Sequence, residues 1–451
     1  MMPGTRAARA RALARVTLFG VFVAACAPGT KASRGNASTA RDGGPEGRTA
    51  PEAKSAAARV GAAARRNGAT PDLPTDGLHD ADRRRDAGPL RLRFLGNVDF
   101  PPRAATEGRA FGGISALAFL PVPRTLLALS DGHDGTGPPR AYELDFDRDA
   151  FDIRVRHRFE IDLSGTGVAP EHYDPEGLAL SPVGDVLVAS EGDQRGDRRI
   201  GPRLDAFRRD RHRFVPVRNV PLPAWTKPET GRGVRPNRGP EALTRATRYV
   251  FVGFEEALRQ DGPPAAARPP RGTDVRILRF GVDLTLAGAH HYRTDVPPTV
   301  TGTGQPPVSS SVGLTELAAI DDEHLLALER STYQDDGGQM RNRIRLYLID
   351  VGSAPNVLRR ETLSGHAPIA KRLVLDFDTI RHRLFPKPEL DNFEAMAVIT
   401  DDTGRCRHLI VASDDNFRSD QRTSFVLFAV DGTADAAGSG PPLPSPIPQN
   451  R

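Results

Sequence analysis

The chain of 451 residues, 38% hydrophobic and 26% charged, is long enough for one large domain with its own core. A formal net charge of +5 invites nucleic-acid binding. However, many arginines fall in N-terminal segments that build no core, the rest alternate with acids, and aromatics make up only 6%. That leaves neither a basic stripe nor stacking platforms and excludes the class.

In chain order, the first element is an export signal. Arg6, Arg9, Arg11 and Arg15 precede a mostly apolar run from Val16 to Ala25, and small residues lead into Cys26. This is the layout of a secretory signal peptide over residues 1–25, too short to span a bilayer permanently. V-A-A-C resembles the lipobox of bacterial lipoproteins, which implies lipidation of Cys26 and exported protein anchored to the cell envelope by acyl chains. Cys406 then has no partner, so no disulfide framework and no cysteine-ligated metal site can form. Residues 26–89 hold almost no large apolar side chains and read as a disordered tether. Residues 432–451, rich in Gly, Pro and Ala, read as a disordered tail.

Residues 90–431 carry internal repeats. Five segments share a short apolar strand with an acid or serine, a turn, and a stronger apolar strand ending in an acid: "GGISALAFLPVPRTLLALSDG", "DPEGLALSPVGDVLVASEGD", "GPEALTRATRYVFVGFEEA", "LTELAAIDDEHLLALERS" and "FEAMAVITDDTGRCRHLIVASDDNF". Aligned, the first position is Ser115, Glu176, Glu241, Glu316 and Glu394, and the second is Asp131, Glu191, Glu255, Glu329 and Asp414. Alternating runs such as "RAYELDFD", "VRILRFGVDL" and "NRIRLYLIDV" lie between them. The expected fold is an all-β propeller of four-stranded antiparallel blades. Five blades are visible, and a sixth would have to fit into residues 351–390, a short span for a blade. The last repeat lacks a fourth strand, which "LRLRFLGNVDF" from the start of the domain is placed to supply, closing the ring without an open edge.

The blocks "SDG", "YDPEGLAL", "SEGD", "GLTELAAI" with "LERS", and "LDNFEAMAV" with "SDDNF" resemble the phytase-like domain family, also described as having esterase-like activity of phytase. The resemblance covers about Phe94 to Val430. It implies a secreted or surface-attached propeller with hydrolase activity often linked to calcium. The calcium-dependent propeller phytases carry a D-D-P-A-type motif, of which Asp174-Pro175-Glu176 is the nearest equivalent here.

The residues lead to the same ion independently. Acids recurring once per blade converge on the channel axis, where they repel one another unless a cation neutralises them. Carboxylates without a histidine or cysteine cluster suit a hard cation, and calcium is the natural guest. The expected metal set is Glu176, Glu241, Glu316 and Glu394, with Asp131, Glu329 and Asp414. The expected catalytic groups are Glu176, Glu191 and Arg330, with Arg195 and Arg341 also close to second-position acids. Each acid equally has a structural reading, as an acceptor for backbone amides at a blade entrance or as a turn residue.

No G-x-S-x-G elbow exists, and His133, His172 and His324 keep no fixed spacing to a serine. The leading expectation is therefore a monomeric, surface-anchored, calcium-dependent hydrolase of small anionic esters or phosphoesters. A non-catalytic ligand- or partner-binding propeller with a structural acid ring and a calcium lactonase are the alternatives. Fold does not choose among them.

Overall fold

The computed structural model describes residues 88–434 apart from 103, 107–108, 133–136, 148–151, 299–309, 385 and 387–388. The expected signal peptide with Cys26, and nearly all of the expected tether and tail, lie outside the described residues. The ends of the domain reach slightly further than the sequence suggests. Leu90 N–H donates to Thr433 O at 2.9 Å and Thr433 N–H to Gly88 O at 2.9 Å, which ties residues 88–89 to 432–433.

Strand β1 (Arg91–Phe100) is followed by a short hairpin, β2 (Ala105–Thr106) and β3 (Arg109–Ala110). Next come β4 (Ile114–Leu120), β5 (Thr125–Ser130), β6 (Arg140–Asp147) and β7 (Asp152–Ile161), then β8 (Pro175–Leu180), β9 (Val186–Ser190), β10 (Arg203–Asp210) and β11 (Arg213–Val220). Strands β12 (Pro240–Arg245), β13 (Tyr249–Phe254), β14 (Asp274–Gly281) and β15 (Leu286–Arg293) precede β16 (Ser310–Ala319), β17 (His324–Gln334), β18 (Met340–Asp350) and β19 (Lys371–Asp376). The last are β20 (Asn392–Thr400), β21 (Cys406–Asp414) and β22 (Thr423–Asp431).

Strands β12–β15 and β16–β19 form two four-stranded sheets in chain order. Strands β20–β22 form a third, and β1 completes it by pairing antiparallel with β22 from Arg91↔Asp431 to Phe100↔Thr423. Strands β4–β7 and β8–β11 are joined into one eight-stranded sheet by a brief parallel contact of β7 with β11. Among the described residues, 351–390 hold only β19 and two single-turn 3-10 helices, so no additional four-stranded unit lies there.

The burial pattern follows from this layering. Second strands such as β5 (TLLALS) and β9 (VLVAS) are buried on both faces and read as continuous apolar runs, whereas outer strands such as β7 and β11 alternate with exposed residues. Separate apolar cores lie between successive sheets. Leu127, Phe159, Leu178 and Phe207 join β4–β7 to β8–β11, and Leu117, Leu144, Ile410 and Phe425 join β4–β7 to β20–β22. Cys406 is buried, and burial pushes its thiol up to about 12. Among the described residues, no helix is long and apolar enough to cross a membrane.

Candidate metal centre

The first strand of every four-stranded set carries a β-bulge at the same place. The extra residue is Ser115, Glu176, Glu241, Thr315 and Glu394 in turn. A bulge re-aims one side chain without disturbing the ladder beyond it. Opposite each bulge, the second strand places Ser130, Ser190, Phe254, Glu329 and Ser413, and the following residue is Asp131, Glu191, Glu255, Arg330 and Asp414.

The fourth set therefore differs from the sequence alignment by one residue. Its first position is Thr315 rather than Glu316, and its second is Arg330 rather than Glu329. Glu316 pairs with Leu328 where the other sets have Ala116, Gly177, Ala242 and Ala395. Its buried Oε1 accepts the N–H groups of Leu243 at 3.0 Å and Leu317 at 2.9 Å, which joins two sheets. Glu329 lies in a separate network, accepting from Tyr292 OH, Asp295 N–H at 2.8 Å and Lys371 Nζ.

Glu191, Glu241 and Glu255 come together, each offering a carboxylate oxygen within 4.8 Å of the others, and all three are buried. Glu191 Oε1 accepts Gly239 N–H at 2.5 Å. Glu255 Oε2 accepts from Arg238 Nη1 at 2.8 Å. Two further oxygens of the triad, Glu191 Oε2 and Glu241 Oε2, are buried and have no hydrogen-bond partner among the described residues. Backbone approach makes room for this cluster, since a Cβ on Gly313 would stand 2.4 Å from Glu255 Cγ.

Arg330 lies beside the triad. It donates through Nη2 to Glu255 Oε1 at 3.4 Å, and through Nη1 to Asn392 Oδ1 at 2.6 Å and to Glu394 Oε2. Burial works against its charge, but Glu394, Glu241, Glu255 and Glu176 outweigh it and its pKa is raised. The acids respond in the opposite sense. Burial first, then Asp174, Glu394, Glu191 and Glu241, raise the half-buried Glu176 well above its ordinary value. Burial raises Glu191 with help from Asp174 and Glu255, and raises Glu241 chiefly with Glu255. Burial pushes Glu394 up to about 7 against the opposing charge of Arg330. Asp414 is raised by burial, Glu394 and Asp131.

Of the other sequence candidates, Ser115 donates to Pro175 O at 3.1 Å and links neighbouring sets. Arg195 is held by Asp193 at 2.9 Å, and Arg341 by Asp335 at 2.8 Å on an exposed edge. Neither reaches the triad by any of these bonds. Arg238 and Asn392 take part without having been singled out. Asn392 lies within the quoted "LDNFEAMAV", but Arg238 arrives on the connection between β11 and β12, where no periodic pattern marks it.

Three solved structures resemble the chain at low identity. An α-L-arabinanase of Penicillium chrysogenum complexed with arabinobiose is 12% identical, over 74% of this chain and 98% of that one, with a TM-score of 0.38. An α-L-arabinofuranosidase of Podospora anserina in complex with cellotriose is 9% identical, over 78% and 99%, at 0.38. The soluble aldose sugar dehydrogenase of Escherichia coli is 13% identical, over 76% and 99%, at 0.31. No curated protein matches the sequence. The model of the phytase-like family, described as "esterase-like activity of phytase", matches residues 109–417, a span that runs from the hairpin before β4 to the loop after β21 and contains the acid triad, so the chain belongs to that family.

Proposed function

We propose that this protein is a metal-assisted hydrolase of ester or phosphoester bonds, with Glu191, Glu241 and Glu255 holding a hard divalent cation, calcium by preference. The triad carries the reading. Three buried carboxylates stand within 4.8 Å, and two of their oxygens lack a partner. Bare carboxylate pairs at such range repel one another, and an all-oxygen donor set suits a hard cation. When bound, that cation supplies a polarised substrate oxygen and an acidified water.

The protein's own groups do the rest. Arg238, held by Glu255 and partly exposed, is placed to orient an anionic substrate group. Arg330 fixes Glu255 and Glu394, and limits how far the channel charge can spread. Glu176, whose environment favours the protonated form, is suited to deliver a proton to a departing alkoxide.

We read the eight-stranded sheet as two blades, which gives a five-bladed propeller closed by β1. The first strands β4, β8, β12, β16 and β20 neighbour one another in a cycle, which supports that reading. Lipidation of Cys26 would hold this monomeric domain at the cell envelope on its tether.

The test is turnover of 4-nitrophenyl acetate and 4-nitrophenyl phosphate by the full chain, with calcium and with a chelator. Calcium-dependent cleavage of either is the expected result. Calcium binding without turnover of either would leave a binding module.

A further inference from the structure

On the face of the domain where Glu191 lies, two connections enclose a groove of about 610 Å³. The β9–β10 connection begins at Glu191 and brings Arg199, Ile200 and Pro202 to one wall, while the β11–β12 connection brings Pro221, Leu222 and Lys227 to the other. Both walls are braced. Asp193 and Ile200 exchange backbone hydrogen bonds at 3.1 and 3.0 Å. Trp225 is covered by the buried Arg276 guanidinium at 4.7 Å and accepts Gln260 Nε2 at 3.1 Å through its carbonyl.

The cations here are not equivalent. Arg195 and Arg198 are bound to Asp193, and Arg203 to Asp205. Arg199 donates only to the carbonyls of Gly196 and Arg198, and Lys227 has no ion pair among the described residues. Glu229, the acid on the same lining, pairs with neither. Two exposed cations without carboxylate partners thus face a groove whose lining mixes the apolar Ile200, Pro221 and Leu222 with the polar Asn219, Thr226 and Glu229.

We propose that this groove binds an organic anion, an oxyanion group carried on an apolar ring or chain. Arg199 and Lys227 take the phosphate or carboxylate, and Ile200, Pro202, Pro221 and Leu222 cover the apolar part. A guanidinium and an ammonium together accept a tetrahedral or planar oxyanion, and the apolar contacts add affinity in proportion to the area they bury. The site is separate from the acid triad and does not depend on the hydrolase reading. Phosphate and carboxylate carriers share this chemistry, and two probes separate them.

The experiment is calorimetric titration of the full chain at low ionic strength with phenyl phosphate and with benzoate, using inorganic phosphate as the reference. Expected is binding of at least one aromatic probe about tenfold tighter than inorganic phosphate. It should fall about tenfold or more in the R199A/K227A double variant, whose two exposed positions leave the melting temperature unchanged. It should persist in the presence of chelator and in Glu241→Gln, which keeps it distinct from any failure at the metal centre. Absence of binding by both probes, equal binding by the double variant, or loss of binding on chelation would each overturn the proposal.

Discussion

Arg330 pairs with Glu394 through one guanidinium nitrogen and reaches Glu255 at 3.4 Å through the other. It does so from the register position that is acidic in the other sets, Asp131, Glu191, Glu255 and Asp414. One departure from a repeated pattern thus turns a series of like charges into an asymmetric site, with a cation on one side of the triad.

Arg330→Met should destabilise the protein by about 3–5 kcal/mol, because it leaves buried carboxylates without their counter-ion. Thermal denaturation without added metal should show a larger loss at pH 8 than at pH 5. Carboxylates whose folded pKa is raised contribute stability below their unfolded pKa and lose it as pH rises through the folded value, and Glu241 and Glu394 are raised already. A loss that does not change with pH would mean that Arg330 acts through packing alone.

Glu329 and Glu255 should separate cleanly. Glu329→Gln weakens the contact with Lys371 and should cost about 1–3 kcal/mol with calcium affinity kept. Glu255→Gln should weaken calcium binding strongly at little cost in stability. Calcium titration alongside thermal melts checks both, and the reverse assignment would make Glu329 a metal ligand in place of Glu255.

Much of this arrangement was legible in the sequence. The repeat grammar showed the sheets and the pairing of β1 with the last strand, because buried second strands and their terminal acids keep a constant spacing. The fourth repeat was misaligned by one residue because a bulge places two residues opposite one, so an apolar-acid pattern alone does not say which is the extra. A one-residue slip sends a side chain to the other face. The column Leu117, Leu178, Leu243, Leu317 and Met396 aligns Thr315 with Glu176 and could have corrected it. Arg238 was out of reach, since it comes from an irregular connection whose path depends on tertiary contacts.

Gly313→Ala should weaken calcium binding, since the added methyl would meet Glu255 Cγ at 2.4 Å and displace one donor. The comparison is its calcium affinity against that of Gly337→Ala, a glycine with its nearest neighbour at 3.4 Å, which should bind as the parent does. Equal affinity in both variants would show that Glu255 is not needed where it stands.

Acid should unfold the domain partly through His290, a buried imidazole that burial and Arg279 hold down to about 4. With an unfolded value near 6.5, its neutral form contributes stability above that pH and loses it as pH falls through about 4, up to about 3 kcal/mol in all. His290→Gln should flatten the stability profile between these limits. An unchanged profile would assign the acid limb to other groups.

Cys26→Ser should leave the protein unprocessed or released from membranes, and fractionation with lipid analysis reads the outcome. Membrane association with lipid retained in the variant would contradict anchoring through Cys26.

The most direct test of the metal centre is a calcium titration of the metal-free protein and of Glu241→Gln, followed by calorimetry at neutral pH in buffers of different ionisation enthalpy. The parent should bind calcium and release protons, because Glu176, Glu191 and Glu241 have raised pKa values without a cation and metal binding favours their charged forms. Its melting temperature should rise with calcium. Glu241→Gln should melt higher than the metal-free parent at pH 8, since one repelling charge is gone, yet gain little from calcium. Calcium without effect on the parent, or with the same effect on both proteins, would contradict a cation held by Glu191, Glu241 and Glu255.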